Sequence, residues 1–173
     1  TGLPHHILPL IAFSASKGFT MYGMRCGALL CMAPTAELAK EFRDAASVAS
    51  RASWSNGNHS AMAVISKIFA DDALLAKVTD ERNHYMQILQ ERGRAFMEEA
   101  NKIGLKCCPY DSGFFITVPC ENAEEVGKTL QALNVFVIPL GPGIRVSVAS
   151  NTVEECRAIP GRLQQAIESV NGK

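Results

Sequence analysis

The sequence has no excess of charge of either sign. Lysine and arginine together number 17, aspartate and glutamate also number 17, and the formal net charge is zero. A surface for nucleic acid or another polyanion needs a basic excess, so neither partner is expected. With 47% hydrophobic and 20% charged residues, the composition is that of a packed globular protein.

The sequence also lacks an apolar run long enough to cross a bilayer, and no signal peptide is expected. These absences favour a cytoplasmic location. The 173 residues are enough for one good domain or two small ones. The chain begins at Thr1 rather than at a methionine, and we therefore expect a fragment of a longer protein or an incompletely ordered chain.

Cysteine is present, but none of its spacings is that of a zinc site or a redox motif. The six cysteines form no C-x-x-C pair, and the four histidines do not cluster with them. A disulfide framework is not expected at this chain length and apolar content. The cysteines are Cys26, Cys31, Cys107, Cys108, Cys120 and Cys156.

Apolar runs and helical periodicity predict an alternation of strands and helices in the first part of the chain. Strands are predicted at 7–13 and 27–32, a helix from an N-cap at Thr35 to about Ala49, and a helix at 61–69. The segment 50–60 is polar and rich in turn residues, which predicts a break between the two helices. A long helix is predicted from Asp71-Asp72 to about Ile103.

After Gly104 shorter strands alternate with two further helices. Strands are predicted at 105–108, 113–119, 135–139 and 144–149, and helices at 121–133 and from Thr152 to about Val170. This alternation indicates an α/β or α+β protein. The long helix that starts near residue 71 is long enough to connect two lobes, and we expect the boundary between them there.

The segment Ser14-Ala15-Ser16-Lys17 carries the most chemistry in the chain. A lysine amine can form a Schiff base with an aldehyde cofactor, and two neighbouring hydroxyls can bind a phosphate. Arg25 follows in a run of small residues, where its guanidinium could reach the same phosphate. Each residue alone also fits a bland interpretation: a surface lysine in a Ser/Gly loop, and an arginine paired with a carboxylate.

Taken together, these residues resemble the cofactor-attachment signature of class I (fold type I) aminotransferases that depend on pyridoxal 5'-phosphate (PLP). The motif is S-x-S-K followed by G-x-R-x-G, and the likeness is to the aspartate and aromatic amino-acid branch. The resemblance implies that Lys17 is the catalytic residue and carries the cofactor. It also implies that Ser14, Ser16 and Arg25 belong to the cofactor-binding residues.

Three further residues resemble substrate-binding positions of that branch. Arg145, in the late strand Gly143-Ile144-Arg145, is similar to the arginine that binds the substrate α-carboxylate. Phe115 resembles an aromatic residue that lines the substrate pocket. Arg51, in Arg51-Ala52-Ser53-Trp54-Ser55-Asn56, is similar to the arginine that reaches across the dimer to a side-chain carboxylate. Gly57-Asn58 then departs from the branch, which usually has two prolines there.

The resemblance implies an α/β fold that is the C-terminal part of the PLP-dependent transferase fold. Residues 1–70 would be the remnant of the large PLP-binding domain, and 71–173 the long connecting helix and the small domain. The implied activity is transfer of an amino group between an amino acid of aspartate or aromatic type and a 2-oxo acid. The implied partners are these substrates, a second copy in a homodimer, and the missing N-terminal half.

Two alternatives stay open at this point. The same fold and lysine serve PLP-dependent lyases and synthases, which differ in the pocket. The chain could also be a non-catalytic fragment or paralogue that acts as an assembly module, and in either case the isolated chain is expected to be inactive. An apolar surface should then be exposed where the N-terminal half packs.

Overall fold

The computed structural model describes residues 7 to 172, which form two compact units. The first unit ends at Arg82 and the second begins at Asn83. The division falls inside a single helix of 32 residues, α4 (Asp72–Ile103). The predicted bounds of that helix are confirmed. At its start the Asp71 carboxylate accepts hydrogen bonds from the backbone N–H groups of Ala73 and Leu74, both at 3.0 Å.

The first unit begins with an antiparallel hairpin. Strand β1 (Leu10–Ser14) leads into the one-turn helix α1 (Ala15–Gly18), and a 3₁₀ turn (Tyr22–Met24) precedes strand β2 (Gly27–Cys31). The register pairs Leu10 with Cys31 and Ser14 with Gly27. Both predicted strands are confirmed, but the first starts and ends later than predicted and the second ends one residue earlier. The observed ends are those of the paired segment.

Two helices follow the hairpin in the first unit, α2 (Ala36–Trp54) and α3 (His59–Phe69). The Thr35 hydroxyl caps α2 as predicted, by accepting a hydrogen bond from the Leu38 N–H at 3.3 Å. The predicted end near Ala49 is wrong. The segment up to Trp54 contains no glycine or proline to stop the helix, and the backbone turns left-handed only at Ser55, where φ is 66°.

The second unit contains a three-stranded antiparallel sheet covered by helices. Its elements are β3 (Phe115–Pro119), α5 (Ala123–Ala132), β4 (Ile138–Leu140), β5 (Gly143–Ser147) and α6 (Val153–Val170), and the strand order is β3-β5-β4. Helix α6 begins with a capping box, in which the Thr152 and Glu155 side chains bond each other's backbone N–H groups. The prediction of an N-cap at Thr152 is confirmed.

The predicted strand at 105–108 is wrong. These residues form only one ladder-like bond, from the Cys108 N–H to the Thr117 carbonyl oxygen at 2.8 Å. Pro109 follows directly and has no N–H to donate, so pairing does not propagate toward the turn. The strand predicted at 135–139 is also misplaced: it begins at Ile138, after a left-handed Asn134 (φ 57°) that ends the turn behind α5.

Nearly all fully buried side chains lie in the second unit. Its core combines α4, the sheet, α5 and α6, and its largest members include Phe96, Ile116, Leu130, Ile144 and Leu163. Between residues 7 and 82, only Ala15, Ala61 and Ile68 are buried among the apolar side chains, and all five residues of β1 are exposed. The first unit therefore carries its elements without a core of its own.

Candidate functional site

Lys17 lies in α1, directly after β1, and not in an open loop as its serine-rich surroundings suggest. The Ser14 hydroxyl caps this single turn by accepting a hydrogen bond from the Ser16 N–H at 3.3 Å. The strand therefore ends in a serine whose side chain starts the turn, and the lysine follows three residues later. This geometry places Ser14, Ser16 and Lys17 on one turn of backbone.

Ala15 holds the backbone around Lys17 together. Its side chain is fully buried, and its N–H donates to the Cys26 carbonyl oxygen at 3.0 Å. Its own carbonyl oxygen accepts from the N–H groups of Phe19 and Met21, at 3.1 and 3.2 Å. The backbone of Ala15 is thus bonded to three other residues of the loop, Phe19, Met21 and Cys26. Backbone hydrogen bonds of Ala15 thus tie the lysine turn to Cys26 and to the segment that follows the turn.

Arg25 sits at the other end of this loop in a left-handed conformation, with φ of 51°. Its Nη1 donates to the Tyr22 carbonyl oxygen at 3.1 Å, and its Cζ lies 5.1 Å from the centroid of the Tyr22 ring. The Nζ of Lys17 lies 4.2 Å from the same centroid. The structure therefore brings Lys17 and Arg25 to one aromatic side chain.

Gly27, which closes the motif, begins β2 opposite Ser14. A Cβ atom at this position would lie 2.5 Å from the carbonyl oxygen of Phe13, a backbone atom that cannot turn away. The close approach of β1 and β2 beside the lysine turn thus requires glycine. The second glycine of the G-x-R-x-G pattern is therefore required for a steric reason.

Asn58 is a residue that sequence reasoning missed. Its Nδ2 donates to the Met24 carbonyl oxygen at 2.9 Å, and its Oδ1 caps α3 by accepting from the Ala61 N–H at 3.2 Å. One carboxamide thus ties the start of α3 to the residue before Arg25. The available signal was an asparagine immediately before a helical run, which is a favoured N-cap pattern.

An aromatic cluster lies behind the lysine turn. The ring of Phe19 makes edge contacts with Phe13 at 6.2 Å and with Phe69 at 5.9 Å, measured between centroids. The guanidinium of Arg82 lies 4.9 Å from the Phe19 centroid. Such pairs stabilise the contact beyond area burial alone. They hold the segment after Lys17 against the end of α3 and the start of α4.

Arg51 lies in the last turn of α2 and not in a turn-rich loop. Its Nη1 donates to the Ser55 carbonyl oxygen at 3.3 Å and to the Ser55 hydroxyl at 3.0 Å. It lines an open cavity of about 790 Å³ between β2 and α2, together with Leu29, Phe42 and Asn56. Lys17 and Arg25 do not line this cavity.

Arg145 and Phe115 meet on the sheet of the second unit. Arg145 stands in the central strand β5, opposite Thr117 and Ile138, between the buried residues Ile144 and Val146. Its Cζ lies 4.5 Å from the centroid of the Phe115 ring. Its Nε is buried and has no hydrogen-bond partner among the residues described. A buried guanidinium N–H without an acceptor is suited to an anionic ligand.

The groups whose pKa values differ from the ordinary ones are three thiols and one phenol of the second unit. Burial raises the pKa of the Cys107, Cys120 and Cys156 thiols above the ordinary value, and for Cys156 the guanidinium of Arg92 opposes this effect. Burial also raises the pKa of the Tyr110 phenol, with Cys156 and Asp111 adding to the shift. These groups therefore favour their neutral forms.

The described part of the chain contains neither a metal-binding cluster nor a membrane-spanning helix. From residue 7 to residue 172, no three His, Cys, Asp or Glu side chains are grouped so that they could hold a metal ion. Over the same range, no helix combines the length and the hydropathy needed to span a bilayer.

The comparisons with known proteins identify the family. The family model of aminotransferase class I and II matches residues 4–163, and the chain therefore belongs to this family. The resemblance predicted from Lys17 and its neighbours is confirmed at this level, and so is the α/β transferase fold. No curated protein matches the sequence.

Solved structures show the same fold. An aminotransferase from Anaerococcus prevotii is 29% identical, with a TM-score of 0.89 over 96% of this chain. An aspartate aminotransferase from Trypanosoma cruzi is 19% identical, with a TM-score of 0.70 over 92% of this chain. An aromatic aminotransferase from Pyrococcus horikoshii is 18% identical, with a TM-score of 0.60 over 94%. The chain spans 41%, 41% and 43% of these proteins, respectively.

Proposed function

We propose that this chain is the C-terminal portion of a PLP-dependent aminotransferase, which moves an amino group between an amino acid and a 2-oxo acid. The substrate class is an amino acid of aspartate or aromatic type. The observation that carries the proposal is the convergence of Lys17 and Arg25 on one side chain, beside the serine-capped turn, in a member of the aminotransferase class I and II family.

The residues present fit the cofactor. Arg25 uses one of its five N–H donors on the Tyr22 carbonyl, which leaves donors for a phosphate. The Ser14 hydroxyl accepts one hydrogen bond and keeps its own proton to donate, and Ser16 adds a second hydroxyl two residues along the same turn. Lys17 supplies the amine for the aldehyde. When bound, the cofactor supplies an electron sink for the bond that breaks at the substrate Cα.

In this proposal the chain's own residues divide the work. Arg25, Ser14 and Ser16 bind the phosphate. The Nζ of Lys17 would take the proton from the substrate Cα as a general base and later return a proton as a general acid. Arg145 binds the α-carboxylate with its guanidinium fork, and Phe115 packs against that guanidinium at 4.5 Å.

Arg51 is proposed to select an acidic side chain from across a homodimer. The Nη1 of Arg51 is bonded to Ser55 at the end of its own helix. A dicarboxylic substrate would use the remaining donors of the guanidinium. An aromatic substrate would not need them, so the choice between the two substrate types depends on this residue.

The organisation of the parent protein follows from the same proposal. Residues 1–70 belong to the large PLP-binding domain, and 71–173 to the connecting helix and the small domain. The N-terminal half and a second copy are the partners, and a role in amino-acid metabolism in the cytoplasm is inferred. The exposed β1–β2 hairpin supports this arrangement, since an isolated pair of strands is marginally stable in water.

The proposal is tested by treating the protein with PLP and then borohydride, followed by intact mass and peptide mapping. A single reduced adduct on Lys17 supports the proposal, and Lys17→Ala is expected to remove it. Lys67→Ala, which alters an exposed lysine of α3, is the matched control and should leave the adduct in place. Labelling spread evenly over the lysines, or unchanged by Lys17→Ala, would contradict the proposed function.

A further inference from the structure

The Tyr22 ring lies beside both cations of the lysine turn. The Nζ of Lys17 is 4.2 Å and the Cζ of Arg25 is 5.1 Å from its centroid, and both lie within the range of about 6 Å for cation–π contacts. The Tyr22 backbone carbonyl also accepts a hydrogen bond from Arg25 Nη1 at 3.1 Å. One residue therefore contacts Lys17 through its ring, and Arg25 through both its ring and its backbone.

The backbone decides where this ring lies. Thr20 and Arg25, on either side of Tyr22, both adopt left-handed conformations with φ of 52° and 51°. Threonine is β-branched and rarely adopts this conformation, so the reversal at Thr20 is sustained by its surroundings. The Phe19 and Met21 N–H groups anchor both sides of Thr20 to the Ala15 carbonyl. The turn after Lys17 thus reverses the direction of the chain and places the Tyr22 ring beside Lys17.

Two neighbouring cations repel each other, and an aromatic face that attracts both of them lowers the cost of keeping them together. Tyr22 is 62% exposed, so its burial in a core does not explain its position. For a ligand with an aldehyde and a phosphate group, the Lys17 amine and the Arg25 guanidinium are already close together before binding. Such preorganisation raises affinity by reducing the ordering cost on binding.

We infer that Tyr22 is a positioning residue, which pairs Lys17 with Arg25 for a ligand that carries both an aldehyde and a phosphate group. The inference rests on the proposed function for the identity of that ligand. The pairing of Lys17 with Arg25 is independent of the proposed function. The pairing and the ligand role are therefore measured in separate experiments. Tyr22→Phe keeps the ring, whereas Tyr22→Leu keeps apolar bulk and removes the aromatic face.

The pairing is measured in the whole chain without any cofactor. In ¹H–¹³C NMR spectra the ε-methylene of Lys17, assigned with Lys17→Arg, is expected upfield of the other lysines because of the ring current of Tyr22. Tyr22→Phe should keep this displacement and Tyr22→Leu should abolish it. Tyr85→Leu, at a half-exposed tyrosine of α4, is the control and should leave it unchanged. A Lys17 signal that Tyr22→Leu does not move would overturn the pairing.

The ligand role is measured with PLP and with pyridoxal, which has the aldehyde but no phosphate. The amine condenses with the aldehyde and releases water, borohydride then reduces the C=N bond, and peptide mapping gives the yield on Lys17. We expect Tyr22→Leu to lower the PLP yield by about two- to fivefold and to reduce the preference for PLP over pyridoxal, with Tyr22→Phe close to the parent.

The outcomes separate this inference from the proposed function. Selective PLP labelling of Lys17 that Tyr22→Leu leaves unchanged would overturn the role of Tyr22 and leave the proposed function standing. The absence of any Lys17 preference in the parent chain would overturn the proposed function and, with it, the ligand role of Tyr22. A lower PLP yield for Tyr22→Leu, restored in Tyr22→Phe, supports both.

Discussion

The Nδ2 of Asn58 donates a hydrogen bond at 2.9 Å to the carbonyl oxygen of Met24, which lies 34 residues earlier in the chain. Its Oδ1 meanwhile caps α3. A single side chain thus couples the start of a helix to the residue that precedes the left-handed Arg25. The arginine proposed to bind the phosphate therefore directly follows a carbonyl group that Asn58 holds, and Asn58 lies outside the S-x-S-K and G-x-R-x-G motifs.

Asn58→Ala is expected to destabilise the first unit by about 2 kcal/mol, because it removes an N-cap and a long-range hydrogen bond, each of about 1 kcal/mol. Asn58→Asp separates the two effects, since a carboxylate still caps α3 but has no N–H to donate to Met24. Amide hydrogen exchange across 24–27 and 59–62 measures them. The aspartate variant should speed exchange only in the first segment, and equal protection in both variants would contradict this assignment.

Gly27→Ala is expected to loosen the hairpin beside Lys17. The added Cβ would lie 2.5 Å from the Phe13 carbonyl oxygen, and forcing atoms into such a contact costs about 1–3 kcal/mol. Gly23→Ala is the matched control, because a Cβ there would meet nothing within 4 Å. Thermal unfolding followed by circular dichroism should show a lower midpoint for Gly27→Ala alone. Identical midpoints for the two variants would count against the close approach of the strands.

In the full-length protein, under the proposed aminotransferase function, Arg145→Lys is expected to lower kcat/KM by about 10- to 100-fold. An ammonium cannot make the bidentate contact of a guanidinium, and hydrogen bonds to charged groups contribute about 1.5–3 kcal/mol. Arg162→Lys, an exposed position of α6, should leave the kinetics unchanged. Steady-state assays with amino donors and 2-oxo acids provide the measurement. Parent-like kinetics for Arg145→Lys would remove it from the substrate site.

The stability of the second unit should fall in alkaline solution. Burial raises the pKa values of the Cys107, Cys120 and Cys156 thiols in the folded state. As the pH rises, the thiols of the unfolded chain therefore lose their protons before those of the folded chain. The free energy of unfolding is at its full value below the ordinary thiol pKa of 9.0 and declines as the pH rises above it. Urea midpoints at increasing pH test this, with a Cys107→Ala, Cys120→Ala, Cys156→Ala variant as control. A variant that loses as much stability as the parent would show that other groups are responsible.

Limited proteolysis is expected to remove the first unit before the second. Between residues 7 and 82 only three apolar side chains are buried, whereas the second unit has a continuous core around Phe96 and Leu163. Local opening should therefore expose the first unit to trypsin at lower free energy. Mass spectrometry over time should find an early resistant product that contains the core of the second unit. A resistant product that retains Lys17 and lacks that core would contradict the expectation.

Much of the fold was predictable from local patterns. The caps at Thr35 and Thr152 and the long helix that ends at Ile103 depend on side chains within a few residues, and all three predictions are confirmed. The strand predicted at 105–108 failed because strand pairing depends on a partner elsewhere in the chain. There, the partner strand makes a single bond before Pro109 ends the pairing.

By itself the sequence determined the family and the residue types of the proposed site, because Lys17, Ser14 and Arg25 stand at short, fixed spacings. Only the tertiary structure decided how these residues are held. The buried Ala15, the Tyr22 ring that Lys17 and Arg25 share, and the bond from Asn58 to Met24 all depend on the chain reversing its direction. Contacts between chain segments brought together in this way leave no periodic pattern in a sequence. The motif could therefore be predicted from the sequence, whereas the contacts that hold its residues in place could not.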